Sequence, residues 1–206
     1  MPALNFRPPD DREEIARAEI YGLLASLFYA APDDALYAQL QVAVTEAPSR
    51  GAFLERSWAG LVAAARHLTL IEVRDEYAAL FLGIGKPEIF LYGSFFIAGS
   101  LNGKPLVELR SDLWALGLER PESVSETEDH IASLCEVMRY LIAGDDLAVS
   151  NLANQQRFFN RHLRGWVDAL CDALESHPRA VFYRHLAGFT RDFVAVELQG
   201  FELLDV

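Results

Sequence analysis

Apolar residues return along this chain at helical intervals almost from end to end. "DREEIARAEIYGLLASLFYA" (11–30) opens on acids that suit the positive end of a helix dipole and then turns apolar on more than one face, as a helix deep in a bundle does. Pro32 blocks its continuation, and Asp33 or Asp34 caps the next helix, "DDALYAQLQVAVTEA", which ends at Pro48. "RGAFLERSWAGLVAAARHL" and "LIEVRDEYAALFLG" predict two more helices, the second closed by Gly83. Residues 83–105, "GIGKPEIFLYGSFFIAGSLNGKP", break the pattern: they are too apolar for a solvated linker and too rich in glycine and proline for one helix. The expectation there is an ordered, partly buried loop with a short helix around Ser94–Ser100.

Leu106, Leu109, Leu113 and Leu116 mark the following helix at spacings of 3, 4 and 3. "ERPESVSETEDH" (119–130) is polar, holds a proline and leads into "IASLCEVMRYL", so it reads as a hinge. Phe159, Leu163, Trp166 and Leu170 predict one late helix, and Phe182, Leu186, Phe189, Phe193 and Val196 another, with "SHPRA" between them. Strand-like alternation is absent. The predicted fold is all-α, a bundle of about nine to ten helices in two lobes, residues 1–121 and 122–206, joined near residues 119–125.

With 206 residues, 51% of them hydrophobic, the chain buries a sizeable core. No apolar run reaches the roughly 18 residues of a membrane span. The stretch "IYGLLASLFYAA" follows acidic "DDREE" without the basic start or small-residue cleavage site of a secretory signal, so a cytoplasmic protein is expected. Cys135 and Cys171 stand outside any C-x-x-C and read as reduced, partly buried thiols. A net charge of −12 disfavours nucleic acid and anionic lipid surfaces and favours a cationic partner, such as a peptide carrying arginines.

"SETEDH" (125–130) is the densest polar cluster, and its chemistry is open at this level. Ser125 and Glu128 fit a capping box, and Glu126 lies one helical turn before His130, within reach of an ion pair. A metal site needs three or four converging ligands, and the five histidines form no H-x-x-x-H pair. "GIGKP" and "NGKP" put proline where a P-loop needs serine or threonine, and "YGSFF" lacks the G-x-S-x-G elbow. Asp145 and Asp146 read as a turn and a cap. The aromatic run Phe90, Tyr92, Phe95 and Phe96 serves either as core filling or as the wall of a groove that takes an amphipathic peptide.

Four stretches in order carry a family resemblance: "EYAALFLG" (76–83), "YGSFF" (92–96), "ETEDH" (126–130) and "QQRFFNRHLRGWVDAL" (155–170). Together they resemble the TorD/DmsD family of redox-enzyme maturation chaperones. That resemblance implies a non-catalytic, all-helical, cytoplasmic protein without a cofactor of its own. Its expected partner is the catalytic subunit of a molybdopterin oxidoreductase, bound through the twin-arginine signal peptide and held until cofactor insertion. Formate dehydrogenase, a sulfoxide reductase or an amine-oxide reductase could be the client, with formate dehydrogenase favoured. Some members are dimers that exchange lobes, so a monomer or a lobe-exchanged homodimer is expected.

By the same resemblance Glu126, Asp129 and His130 belong to the hinge motif implicated in peptide binding, and Tyr92, Gly93, Ser94 and Phe96 to the aromatic loop beside it. Gln155, Phe159, His162 and Trp166 match the late helix, with scaffold roles. Thr127 stands where the family usually has proline, which loosens the expected hinge and lets Thr127 join a helix's first turn. An unperturbed pKa near 6.5 would make His130 a pH switch for peptide binding. Two other readings stay open: a sibling chaperone that grips the mature oxidoreductase, and a metal- or nucleotide-dependent hydrolase using Glu126, Asp129 and His130.

Overall fold

The computed structural model describes residues 11–45, 54–83 and 85–203. Among them are ten α-helices and one π turn, with no strand beyond a single isolated bridge. The fold is all-α, as the periodicity predicted.

The first helix, α1 (Asp11–Tyr29), buries Tyr21, Leu24, Leu27 and Phe28. Asp33 ends the turn at Pro32: its carboxylate accepts from Leu36 N at 2.7 Å and opens α2 (Asp34–Val42). That helix stops well before the expected end at Pro48, which lies outside the described residues, as does the predicted start of the next helix at residues 50–53. The described part of that next helix is α3 (Glu55–His67).

Helix α4 (Leu70–Tyr77) starts with a complete capping box: Thr69 N donates to Glu72 Oε2 at 2.7 Å, and Thr69 Oγ1 accepts from Glu72 N. Residues Ala78–Leu82 then widen into a π turn, where one continuous helix was expected. Gly83 stops it at φ +32, and a Cβ there would come within 2.2 Å of Lys86 O, so no other residue fits.

Short α5 (Gly93–Ala98) and α6 (Lys104–Ala115) follow, then a strap without helix, then α7 (Ile131–Ala143). The late apolar stripe divides into α8 (Leu152–His162) and α9 (Val167–Ser176), where the sequence reading had one helix. A side chain within the same stretch marks the break. Trp166 Nε1 donates to His162 O at 2.7 Å, taking a carbonyl that would otherwise serve the helix ladder. Asn151, rather than Asp145 or Asp146, caps α8; Asp146 instead accepts from Ala148 N in the preceding turn.

Helix α10 (Phe182–Glu202) packs on α9, α3 and α4, while the most extensive helix pair is α1 with α7. One hydrophobic cluster runs from Ala18 to Phe201 and includes residues from both sides of the strap. Two buried carboxylates stitch α10 into it. Glu76 of α4 accepts from the N–H groups of Val181, Phe182 and Tyr183 at 2.8–2.9 Å, capping a helix that lacks a side-chain cap of its own. Glu197 takes both forks of Arg17 at 2.6 and 2.8 Å and the Tyr21 hydroxyl at 3.0 Å.

Candidate functional site

Two segments far apart in sequence are laced together beside α1. Leu91 and Tyr92 run extended into α5, and residues 126–130 run into α7. Gly93 N donates to Asp129 O at 2.9 Å, Ile131 N donates to Leu91 O at 2.8 Å, and Tyr92 pairs with His130 in an antiparallel bridge. Side chains tighten the lacing. Asp129 Oδ2 accepts from Ser94 N at 2.9 Å, so it caps α5, while Thr127 Oγ1 donates to Asp129 Oδ1 at 2.6 Å. Thr127 therefore supports the turn before the helix and is not part of the helix's first turn.

The helix begins later than the capping-box reading required. His130 is the N-cap of α7, and its Nδ1 accepts from Ala132 N at 3.2 Å. Ser125 and Glu128 form no capping box: Ser125 Oγ reaches Glu126 Oε1 at 3.3 Å, and Glu128 turns to two arginines. The docking of Asp129 onto Ser94 N explains this. It holds residues 126–130 in a turned, extended course in which a helical first turn at Ser125 cannot form.

Asp129 and His130 are buried, 3% and 4% exposed, and Ser94 is sealed at 1% with its Oγ unpartnered. The His130 ring lies edge-on between Tyr92 at 5.1 Å and Tyr29 at 6.5 Å. Burial pushes its pKa from 6.5 down to about 4, against the opposing pull of Glu126 and Asp129. Burial thus favours the neutral imidazole and moves its titration away from the unperturbed value near 6.5. Glu126 is half-buried and accepts a hydrogen bond from the Tyr92 hydroxyl. Burial and that bond together hold the Tyr92 phenol well above its ordinary pKa. The helical ion pair imagined between Glu126 and His130 does not form, because Glu126 is outside any helix.

Beyond Tyr92, part of the aromatic loop packs on Trp166 near the C-terminal helices. Phe96 stacks on Trp166 with ring centres 5.5 Å apart and planes 21° apart. Gly93 lies so close to the same indole that a Cβ would stand 3.1 Å from it. Phe90 and Phe95 pair with each other at 4.3 Å.

A cavity of about 470 Å³ opens nearby, with Glu128 and Ala132, on either side of His130 in sequence, in its lining. Its walls come from α1 (Ala25, Tyr29), the strap between α6 and α7 (Leu118, Pro121, Val124) and α7 (Ala132, Val137, Tyr140). Glu119, Glu128 and Glu136 give it an acidic rim, with Arg120 among them. Tyr29 joins the two regions, lining the cavity and touching His130. Tyr92, Gly93, Ser94, Phe96, Glu126, Asp129 and His130 do not line the cavity; all but Phe96, which stacks on Trp166, belong to the laced segments beside it.

Glu128 links support and rim. Arg110 meets its Oε2 with Nε at 3.0 Å and its second nitrogen at 2.9 Å, and Arg120 Nε stands 3.5 Å from Oε1. Partial burial raises the Glu128 pKa, but the bond from Arg110 and the charges of both arginines outweigh it and set it below the usual carboxylate range. Sequence reading passed over this residue as a cap and passed over the strap as polar hinge. The only signal was the set of apolar residues, Leu118, Pro121 and Val124, inside an otherwise polar segment. No three histidine, cysteine or acidic side chains converge as metal ligands among the described residues. Both oxygens of Asp129 and Nδ1 of His130 already hold partners within the chain. No helix among the described residues is long and apolar enough to cross a membrane.

Comparison with known proteins converges on one family. Residues 48–172, more than half of the chain, match the family model described as nitrate reductase delta subunit. The chaperone protein TorD of Vibrio cholerae serotype O1, strain El Tor Inaba, is 29% identical over 172 aligned positions, covering 76% of this chain and 78% of TorD. TorD of the classical Ogawa strain is similar to the same extent, again 29% identical with 76% and 78% coverage. The family match and the likeness to TorD place the chain in the nitrate reductase delta subunit family of TorD/DmsD-like chaperones.

Proposed function

We infer that the protein is a cytoplasmic maturation chaperone for a molybdopterin-containing oxidoreductase. On this reading it binds the twin-arginine signal peptide of the catalytic subunit and holds the enzyme back from export until its cofactor is inserted. The role is binding rather than catalysis. The observation that carries the reading is the apolar cavity with an acidic rim, seated against the laced hinge motif of a chain whose net charge is −12. An apolar trough takes the hydrophobic stretch of a leader, and carboxylates around it take guanidinium groups in charge-assisted pairs.

The binding face on this reading combines the cavity with the motif beside it. Glu126 and the Tyr92 hydroxyl offer polar contacts, while Gly93, Ser94, Phe96, Asp129 and His130 hold the shape. The two lobes meet at the strap near residues 119–125, and in a lobe-exchanged dimer the α1–α7 contact would form between chains.

The test is calorimetry against a panel of leader peptides from formate dehydrogenase and from sulfoxide and amine-oxide reductases. Each leader is paired with a version whose two arginines are lysines. Micromolar binding of one leader is expected, weakened by Glu126→Gln, by Tyr92→Ala and by the lysine pair, since an ammonium lacks the planar fork. Absence of binding by every leader, with the full-length oxidoreductase still captured, would overturn this reading and move the contact to the mature enzyme.

A further inference from the structure

The cavity holds a guanidinium of its own. Glu128, with its side chain 13% exposed, carries two arginines from its own chain, and the two are unequal. Arg110 makes a forked pair with Oε2 at 2.9–3.0 Å and lies outside the cavity lining. Arg120 belongs to the cavity wall, stands 3.5 Å from Oε1 and is 34% exposed. It also donates to Val124 O, which ties together strap residues that line the cavity.

We propose that Arg120 is a tethered stand-in for an arginine of the partner segment, occupying Glu128 Oε1 until that segment enters the cavity and takes its place. The proposal rests on the peptide-binding reading above and adds to it a gate selective for guanidinium. Exchange of one guanidinium for another keeps Oε1 paired throughout, while Arg110 continues to hold Oε2. The incoming group gains what Arg120 lacks, a close approach to Oε1 with fork geometry. Departure of Arg120 also frees Val124 O and lets the strap lift from apolar walls that the segment then covers. A tethered competitor has a high effective concentration, so an apolar segment without a matching cation fails to displace it. Lysine fits this exchange poorly, because its single ammonium cannot reproduce the fork.

The probe is the leader peptide that binds the wild-type chain most tightly, titrated by calorimetry at 150 mM salt into Arg120→Ala. Removal of a partly exposed competing pair is expected to tighten binding about threefold to fivefold. Arg184→Ala changes net charge equally at an exposed position on α10 and controls for general electrostatics; less than a twofold change is expected there. In a Glu128→Gln background the gain from Arg120→Ala disappears, as a double-mutant cycle requires if the two side chains act through each other. Unchanged or weaker binding by Arg120→Ala, a gain equal to that of Arg184→Ala, or a gain that persists in Glu128→Gln overturns the proposal while leaving the chaperone reading intact. Failure of every leader to bind the wild-type chain and the variants overturns both.

Discussion

His130 gives the sharpest test of how the site is built, because its burial converts directly into a pH dependence of stability. The unfolded chain carries a histidine of ordinary pKa, 6.5, and burial lowers it in the native state to about 4. Between those values the unfolded state binds the extra proton, so stability is complete above about pH 6.5 and is lost as the pH falls toward 4. The shift of 6.5 to about 4 corresponds to about 3 kcal/mol, of which about 2 kcal/mol is lost by pH 5. The groups facing the imidazole are the Tyr29 and Tyr92 rings and the carboxylates of Glu126 and Asp129. The acids favour the charged form, and burial outweighs them.

The assay is urea unfolding of the native chain and of His130→Asn at pH 7, 6, 5 and 4.5. Asparagine keeps a side-chain oxygen for the N–H of Ala132, so α7 retains its cap while the titrating group is gone. Other carboxylates destabilise both proteins alike on acidification, and the difference between the two curves isolates His130. That difference should move by about 2 kcal/mol in favour of the variant between pH 7 and pH 5. Parallel curves would refute the reasoning, since they would mean that His130 is as easily protonated folded as unfolded. The same neutrality predicts that leader-peptide affinity from pH 5.5 to 8 follows one profile in both proteins.

Two further predictions concern the buried carboxylates. Glu76→Ala leaves three N–H groups at the start of α10 without their acceptor and should cost about 3 kcal/mol in urea unfolding; Glu76→Gln, which keeps one carbonyl oxygen, should cost about half as much. Glu197→Leu strands Arg17 among buried groups and should cost about 3–5 kcal/mol, and adding Arg17→Met should restore most of it, because the pair without either charge is close to neutral.

The fold was legible because helix faces are written in apolar spacing, and spacing failed where hydrogen bonds departed from the regular helix ladder. Leu163 and Trp166 kept the period of one long helix and are indeed buried, 1% and 2% exposed, yet neither belongs to a helix interior. The Trp166 indole takes the carbonyl of His162, four residues earlier, a bond that apolar spacing does not report. The π turn at Ala78–Leu82 was invisible for a related reason: widening a helix by one residue changes hydrogen-bond partners without changing which side chains are apolar. Gly83, by contrast, announced its stop correctly, since its left-handed φ is a property of the residue itself.

At the site, the sequence assigned the wrong residue to the cap. S-x-x-E describes Ser125 and Glu128 as well as any capping box, but a local cap loses to a tertiary one. Once Asp129 accepts the N–H of Ser94, thirty-five residues earlier, the helix cannot begin before Ile131. A helix would have spread Glu126, Glu128, Asp129 and His130 around one cylinder. The turned course instead sends Asp129 and His130 inward, where they fasten α5, α7 and Tyr29, and leaves Glu126 and Glu128 half-buried nearer the surface. The division of labour follows from that geometry. A carboxylate with both oxygens committed inside the core can hold a wall in place but cannot meet a guanidinium, whereas Glu128, paired to Arg120 at 3.5 Å beside an apolar cavity, has a partner it can exchange. Charge available for recognition is therefore set less by which acids the motif contains than by which of them the lacing of residues 91–94 to 127–131 leaves unspent.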